Sequence, residues 1–170
     1  MTYLEPINQT KLYGLDKYFN ELVKLYKNNI YPNKILLSGQ KGIGKSTLAF
    51  HFINFVLTIN EDCKYDIENL NINPESREFK TIINKSNTNL ITVDVNAEKK
   101  MIDVNQIRNL IINLNKSSFN EKPRFILIDN IELLNVNSIN ALLKILEEPN
   151  ENIYFILIHN NKKILSTLLS

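Results

Sequence analysis

The residues of this chain best suited to chemistry form a glycine-rich loop, which reads Gly39-Gln40-Lys41-Gly42-Ile43-Gly44-Lys45-Ser46-Thr47. The loop meets the pattern G-x-x-x-x-G-K-[ST] at every position. Glycine lets the backbone approach a phosphate closely, and the N–H groups of such a loop and of the helix after it surround the anion. We therefore predict that the loop binds ATP or ADP. Lys45 would reach the β- and γ-phosphates, and the Ser46 hydroxyl would bind Mg²⁺.

The elements on either side of the loop support this interpretation. Lys34–Ser38 is a short apolar run that predicts a buried strand. Residues 48–57 predict a helix that carries Ala49, Phe52, Ile53 and Val56 on one face. The alternative is a glycine turn that only connects a strand to a helix, but the order strand, loop, helix favours a phosphate site.

A second candidate site residue, Asp129, follows the apolar run Phe125-Ile126-Leu127-Ile128. This arrangement places a carboxylate at the carboxyl edge of a parallel sheet, where ligands bind in such folds. We predict that Asp129 holds the water shell of the same Mg²⁺. The alternative is an aspartate that only caps a turn after a core strand, and the intact phosphate loop favours the metal role.

Length and composition exclude several classes of protein. The 170 residues predict one domain, residues 1–170, with a substantial core. The net charge of +2 is too small to indicate nucleic-acid binding by itself. A single cysteine, Cys63, excludes an intramolecular disulfide and a zinc site of several thiolates, and it is typical of a reduced cytoplasmic protein. The sequence has no apolar run long enough for a membrane span.

The remaining pattern alternates helices with strands, which predicts an α/β fold with a parallel sheet. Asp103 and Gln106 have the spacing of a capping box, which would open a helix. Residues 58–89 are polar and predict no regular element. The other predicted elements are helices over 15–27 and 137–148 and strands over 90–95, 124–129 and 153–158.

These motifs, in this order, resemble the AAA+ ATPase domain of bacterial DNA polymerase III clamp-loader subunits. The most specific part is Asn140-Ala141-Leu142-Leu143-Lys144-Ile145-Leu146-Glu147-Glu148-Pro149, which follows the strand ending in Asp129. The resemblance covers nearly the whole chain. It implies a P-loop NTPase fold of the RecA-like type, a parallel sheet flanked by helices in the order 5-1-4-3-2.

Within this family the chain resembles the delta-prime branch. The gamma/tau motor chains carry a four-cysteine module after the loop helix, and this chain has only Cys63. The motor chains also follow the strand aspartate with a glutamate that activates water. Here that residue is Asn130, and an amide cannot accept the proton. The resemblance therefore implies a subunit that binds ATP with little or no hydrolysis and helps to load the sliding clamp onto primed DNA during replication.

The resemblance also implies a sensor residue after the last strand, for which His159 and Asn160 are both candidates. Ser170 would begin the family's Ser-Arg-Cys motif. The partners implied are other clamp-loader subunits, the sliding clamp and primed DNA. We expect the fifth strand and the lid to be missing from this chain, which would leave the strand Lys34–Ser38 at a sheet edge where it could aggregate.

Two other functions compete with this interpretation. One is an active gamma/tau-type ATPase, which Asn130 and the missing cysteines disfavour. The other is a free-standing P-loop kinase, which would have no reason to carry the 140–149 segment. Glu132 could be proposed as a substitute base, but its distance from Asp129 along the chain suggests a surface charge. His51, inside the predicted loop helix, is expected to be structural.

Overall fold

A computed structural model describes residues 5–96, 98–148 and 150–160. These residues form two compact units. The first consists of the described residues up to Pro32 together with Gly44–Leu90, and the second of Asn33–Ile43 together with the described residues from Ile91 onward. No helix among the described residues is both long enough and apolar enough to cross a membrane.

The first unit is helical. It contains α1 (Asp16–Lys27), α2 (Lys45–Leu57) and α3 (Arg77–Ile83), with a short 3-10 turn at Pro6–Asn8. Aromatic rings form much of its core: Phe19 stacks on Tyr65 with 5.0 Å between ring centroids, and Phe52 stacks on Tyr31 at the same distance. Aromatic pairs of this kind stabilise a core beyond the contribution from burying the apolar surface of the rings.

Helix α2 differs from its prediction in two respects. It begins at Lys45, three residues before the predicted start. The predicted face of Ala49, Phe52, Ile53 and Val56 is buried, but burial extends to every residue from Leu48 to Leu57. The two polar side chains of this stretch, His51 and Asn54, each make hydrogen bonds inside the unit. Asn54 Nδ2 donates to the Phe50 carbonyl at 2.8 Å, whereas the buried Asn54 Oδ1 atom has no hydrogen-bond partner among the described residues. A helix buried all round shows no clear apolar stripe.

The prediction that residues 58–89 lack regular structure is also wrong. The segment contains α3, whose N-cap Ser76 accepts a hydrogen bond from the Phe79 N–H at 3.3 Å. The segment also buries apolar side chains, which are Tyr65, Leu70, Ile72, Phe79 and Ile82. Its Leu70 carbonyl accepts the Leu12 N–H at 3.1 Å, so the segment is part of the first unit's folded structure.

The second unit is built on a four-stranded sheet. Its strands are β1 (Lys34–Ser38), β2 (Leu90–Val93), β3 (Arg124–Ile128) and β4 (Ile153–His159). Their order is β1-β4-β3-β2, and β4 runs parallel to both β1 and β3. The predicted α/β fold and the predicted order of these four strands are confirmed.

Two helices pack against the sheet of the second unit. Helix α4 (Val104–Leu114) opens with the predicted capping box: Asp103 accepts from the Gln106 N–H, and Gln106 accepts from the Asp103 N–H. Helix α5 (Val136–Glu147) buries Leu142 and Leu146. The core between these layers consists largely of aliphatic side chains, among them Ile107, Leu110, Ile126, Ile128, Leu142 and Leu157. Pro149, the last residue of the 140–149 segment, and Ser170 of the predicted Ser-Arg-Cys motif lie outside the described residues.

Candidate functional site

The phosphate loop connects β1 to α2, and its backbone has the conformation that the glycines allow. Gly42 has φ +88° and Gly44 has φ +96°, both in the left-handed region that side chains disfavour. A Cβ added at Gly44 would also lie 3.1 Å from Leu15 Cδ1. At the start of the loop, the Gly39 N–H donates to the His159 carbonyl at 3.3 Å and so extends the pairing of β1 with β4.

The first turn of α2 presents the predicted phosphate ligands of the loop. Gly44 is the N-cap residue and offers no side chain to the N–H groups of that turn, and such groups lack partners within a helix. Lys45 is buried, with 7% of its surface exposed, and Ser46 is half-buried. Backbone N–H groups, a lysine and a hydroxyl form a donor set that suits a polyphosphate with Mg²⁺.

Asp129 lies directly after β3, at the carboxyl edge of the sheet of the second unit. Its N–H donates to the Val93 carbonyl at 2.9 Å, which ties it to the end of β2. The Asp129 Oδ1 atom accepts from the Asn130 N–H at 2.7 Å. The structure therefore places this carboxylate where the sequence predicts it.

Asn130 adopts a left-handed backbone with φ 54°, which asparagine tolerates better than most residues. Its Nδ2 atom donates to Asp94 Oδ1 at 2.8 Å. Its Oδ1 atom accepts from Asn160 Nδ2, also at 2.8 Å. The side chain at the position of the missing base thus has hydrogen bonds on both ends of its amide.

The two sensor candidates lie in different surroundings. His159 is the last residue of β4 and is buried, and its Nδ1 atom lies 3.3 Å from Ser38 Oγ. Asn160 donates from Nδ2 to Asp129 Oδ1 at 3.1 Å. The structure therefore brings Asn160, rather than His159, into contact with the predicted metal ligand. The sensor role itself stays a prediction.

Glu132 is not the plain surface charge that the sequence suggests. It is half-buried, and its Oε2 atom accepts from the Asn160 N–H at 3.3 Å. Sequence reasoning missed Asp94 altogether. The one available signal was its position near the end of the strand predicted over 90–95, because the carboxyl ends of neighbouring strands meet at one edge.

The described residues contain no cluster of three or more His, Cys, Asp or Glu side chains that could hold a metal ion. Mg²⁺ in nucleotide sites uses one or two protein oxygens, phosphate oxygens and water, so the predicted Mg²⁺ site does not require such a cluster. Ser46 belongs to the first unit and Asp129 to the second, and their joint role in binding Mg²⁺ stays a prediction.

His51 lies inside α2 and is fully buried. Its Nε2 atom lies 2.8 Å from the Gln9 carbonyl, and its Nδ1 atom lies 2.7 Å from the Tyr65 hydroxyl. A carbonyl only accepts, so Nε2 is assigned the proton and Nδ1 accepts from the tyrosine. The pKa of His51 is lowered to about 4, mainly by burial. The bond to Gln9 opposes this shift, and the nearby Lys11 charge adds a smaller lowering. These contacts fit a neutral histidine that stabilises the first unit.

Comparison with known proteins places the chain in a family. The family described as "DNA polymerase III, delta subunit" matches residues 14–170. DNA polymerase III subunit delta' of Buchnera aphidicola subsp. Baizongia pistaciae is 31% identical over 164 residues, covering 85% of this chain and 46% of the relative. DNA polymerase III subunit gamma/tau of Mycoplasma genitalium is 30% identical over 166 residues, covering 97% of this chain and 26% of the relative.

A solved structure supports the fold. A DNA polymerase III gamma subunit-related protein from Thermotoga maritima superposes with a TM-score of 0.50 at 17% identity, covering 81% of this chain and 39% of that one. The chain spans about half the length of the delta' relatives that it matches. Since the family match extends over nearly all of its residues, the chain belongs to the DNA polymerase III delta subunit family.

Proposed function

We propose that this chain acts as a delta-prime-type subunit of a clamp loader, which binds Mg²⁺ and ATP or ADP at Gly39–Thr47 without turning the nucleotide over. The proposal that the chain does not hydrolyse the nucleotide rests on one observation, the hydrogen bonding of the Asn130 side chain. Its amide occupies the place of the base, and it is held by Asp94 on one side and Asn160 on the other. A side chain with no proton-accepting carboxylate gives no general-base assistance, which is worth about 10²- to 10⁴-fold in rate.

In this proposal the chain's own residues hold the nucleotide in place. The loop N–H groups and the first turn of α2 receive the phosphates, and Lys45 supplies a charge-assisted bond to them. Ser46 and Asp129 would hold the Mg²⁺ ion, which neutralises phosphate charge when it is bound. Lys45 is buried at the start of the helix. Its side chain therefore loses little conformational entropy when a nucleotide binds, which favours binding at the loop.

Calorimetry with ADP and Mg²⁺ tests the binding site. Lys45→Ala removes a charge-assisted hydrogen bond, so we expect a loss of about 1.5–3 kcal/mol in binding free energy. Lys17→Ala is a matched control, because Lys17 is an exposed lysine on α1 of the same unit. Equal ADP affinity for the Lys45→Ala variant and the unchanged chain would rule out this site.

The proposed partners are the other subunits of the loader, with the sliding clamp and primed DNA engaged by the assembled complex. The proposal rests on the delta' and gamma/tau relatives, which are named as subunits of one polymerase. Co-expression with the delta and gamma/tau chains of the same genome, followed by size-exclusion chromatography with light scattering, measures assembly. Elution of this chain apart from the other subunits, with or without ATP, would contradict the proposed role.

A gamma/tau-type ATPase is the second candidate, and one observation favours it. The similarity to the gamma/tau relative covers 97% of this chain, more than the 85% for the first delta' relative. The two candidates differ in turnover, and the hydrolysis measurement described below separates them.

A further inference from the structure

Four side chains at the carboxyl edge of the second unit form a continuous hydrogen-bonded row. Asp94 Oδ1 accepts from Asn130 Nδ2 at 2.8 Å, and Asn130 Oδ1 accepts from Asn160 Nδ2 at 2.8 Å. The row ends where Asn160 Nδ2 donates to Asp129 Oδ1 at 3.1 Å. We call this set Asp94–Asn130–Asn160–Asp129 the amide relay.

The two ends of the amide relay fix its direction. An ionised carboxylate only accepts hydrogen bonds, whereas an amide has a donor end and an acceptor end. Asp94 therefore requires the Nδ2 end of Asn130, which leaves the Oδ1 end of Asn130 for the next residue. That oxygen in turn requires the Nδ2 end of Asn160. When both amides have this orientation, Asn160 directs its Nδ2 donor, and not its Oδ1 atom, towards Asp129.

Asp94 is itself held in place, although it is exposed. The Val95 N–H donates to the same Asp94 Oδ1 atom at 2.6 Å. The Gln106 Nε2 atom donates to the Asp94 carbonyl at 2.6 Å. Gln106 belongs to the capping box of α4, so the N-terminus of that helix fixes the residue that starts the relay. Several constraints on one short segment reduce the entropy lost in making each bond.

We infer that Asp94 is a positioning residue, which acts through Asn130 to hold the Asn160 amide as a donor to Asp129 and so orients that carboxylate for Mg²⁺. The inference rests on the proposed nucleotide site and adds a residue that the sequence motifs do not contain. Asn160 bonds directly to the predicted metal ligand, and removing a partner of that kind changes metal affinity about 10- to 100-fold. Asp94 acts on Asn160 through Asn130, so we expect its removal to have an effect near the lower end of this range.

The first experiment observes the amide relay without any nucleotide. The side-chain amide protons of Asn160 are followed by proton–nitrogen NMR and assigned by their loss in Asn160→Ser. In the unchanged chain we expect slow exchange with solvent. In Asp94→Ala water replaces the carboxylate and imposes no direction, so exchange should be several-fold faster. Asp94→Asn keeps an acceptor oxygen and should give an intermediate exchange rate. A purely structural role for Asp94 predicts no graded change in the exchange rate of the Asn160 amide protons across these variants.

The second experiment measures the Mg²⁺ concentration that half-saturates ADP binding. We expect this concentration to rise about tenfold in Asp94→Ala and less in Asp94→Asn. Glu121→Gln is a control that removes one exposed negative charge from the same unit, and it should behave like the unchanged chain.

The outcomes separate this inference from the proposed function. Unchanged Asn160 exchange in Asp94→Ala would overturn the inference, and so would faster exchange with no change in the Mg²⁺ requirement. Absence of ADP binding by the unchanged chain would overturn the proposed function, and the NMR result would still decide whether the amide relay exists.

Discussion

Acidification should destabilise this protein through His51, well above the pH at which its carboxylates become protonated. In the folded chain the pKa of His51 is lowered to about 4, mainly by burial. In the unfolded chain it has its ordinary value of 6.5. Between these two values the unfolded state binds more protons than the folded state, so stability falls as the pH falls.

The size of the effect follows from the difference in pKa. Each unit corresponds to about 1.4 kcal/mol. We therefore expect the loss to be about 2 kcal/mol between pH 7 and pH 5 and to reach about 3 kcal/mol at pH 4. Typical unfolding free energies are about 5–15 kcal/mol, so the change is a substantial fraction of the total.

Urea denaturation at several pH values between 7 and 5, followed by circular dichroism, measures this dependence. Hydrogen bonds lower the pKa of three carboxylates, which are Asp66, Asp103 and Glu75. Their ordinary pKa values are 3.8, 3.8 and 4.5, so they contribute chiefly below this window. His51→Gln should be less stable at pH 7, since it disturbs the bonds to Tyr65 and Gln9, but its stability should no longer depend on pH in this way.

His159→Gln removes the other histidine of the chain and serves as the control. It should keep the pH dependence that we assign to His51. A denaturation midpoint that is constant between pH 7 and pH 5, or a slope that persists in His51→Gln, would refute the argument.

Three further predictions concern activity and stability. The purified chain should hydrolyse ATP far more slowly than about 1 per second, the low end of the usual enzyme range, and a steady-state rate at or above that value would favour the gamma/tau-type candidate. Phe52→Ala should cost about 3–5 kcal/mol of unfolding free energy, because Phe52 is fully buried. Phe119→Ala should change the unfolding free energy by less than about 0.5 kcal/mol, because Phe119 is 83% exposed. Similar urea midpoints for the two variants would contradict this prediction. Asp103→Ala should cost about 1 kcal/mol through the lost cap of α4, and Asp103→Asn, which keeps an acceptor, should retain most of that stability in the same measurement.

Much of the second unit was predictable from the sequence. Its strands are short apolar runs with clear ends, and the capping box at Asp103 has a fixed spacing. The family resemblance implied the strand order, and β1-β4-β3-β2 agrees with it. Asp129 could be placed because the end of a strand fixes which edge of the sheet a residue reaches.

The first unit was less predictable, for physical reasons. Helix α3 has seven residues, too few for a helical period to stand out from a polar segment. The bond of His51 to Tyr65 joins residues 14 apart that only the packing of the unit brings together. The amide relay was missed for the same reason, since Asp94 and Asn130 are 36 residues apart.

The complete burial of α2 has a consequence for the dynamics of the first unit. A helix with one exposed face can fray or open locally, whereas the stretch Leu48–Leu57 cannot expose an amide without also separating the aromatic core around it. Its amide protons should therefore exchange with solvent only through the cooperative opening of that core. The helix that starts at the phosphate loop is then among the slowest-exchanging parts of the unit, and a ligand bound at its N-terminus would be held by a rigid support.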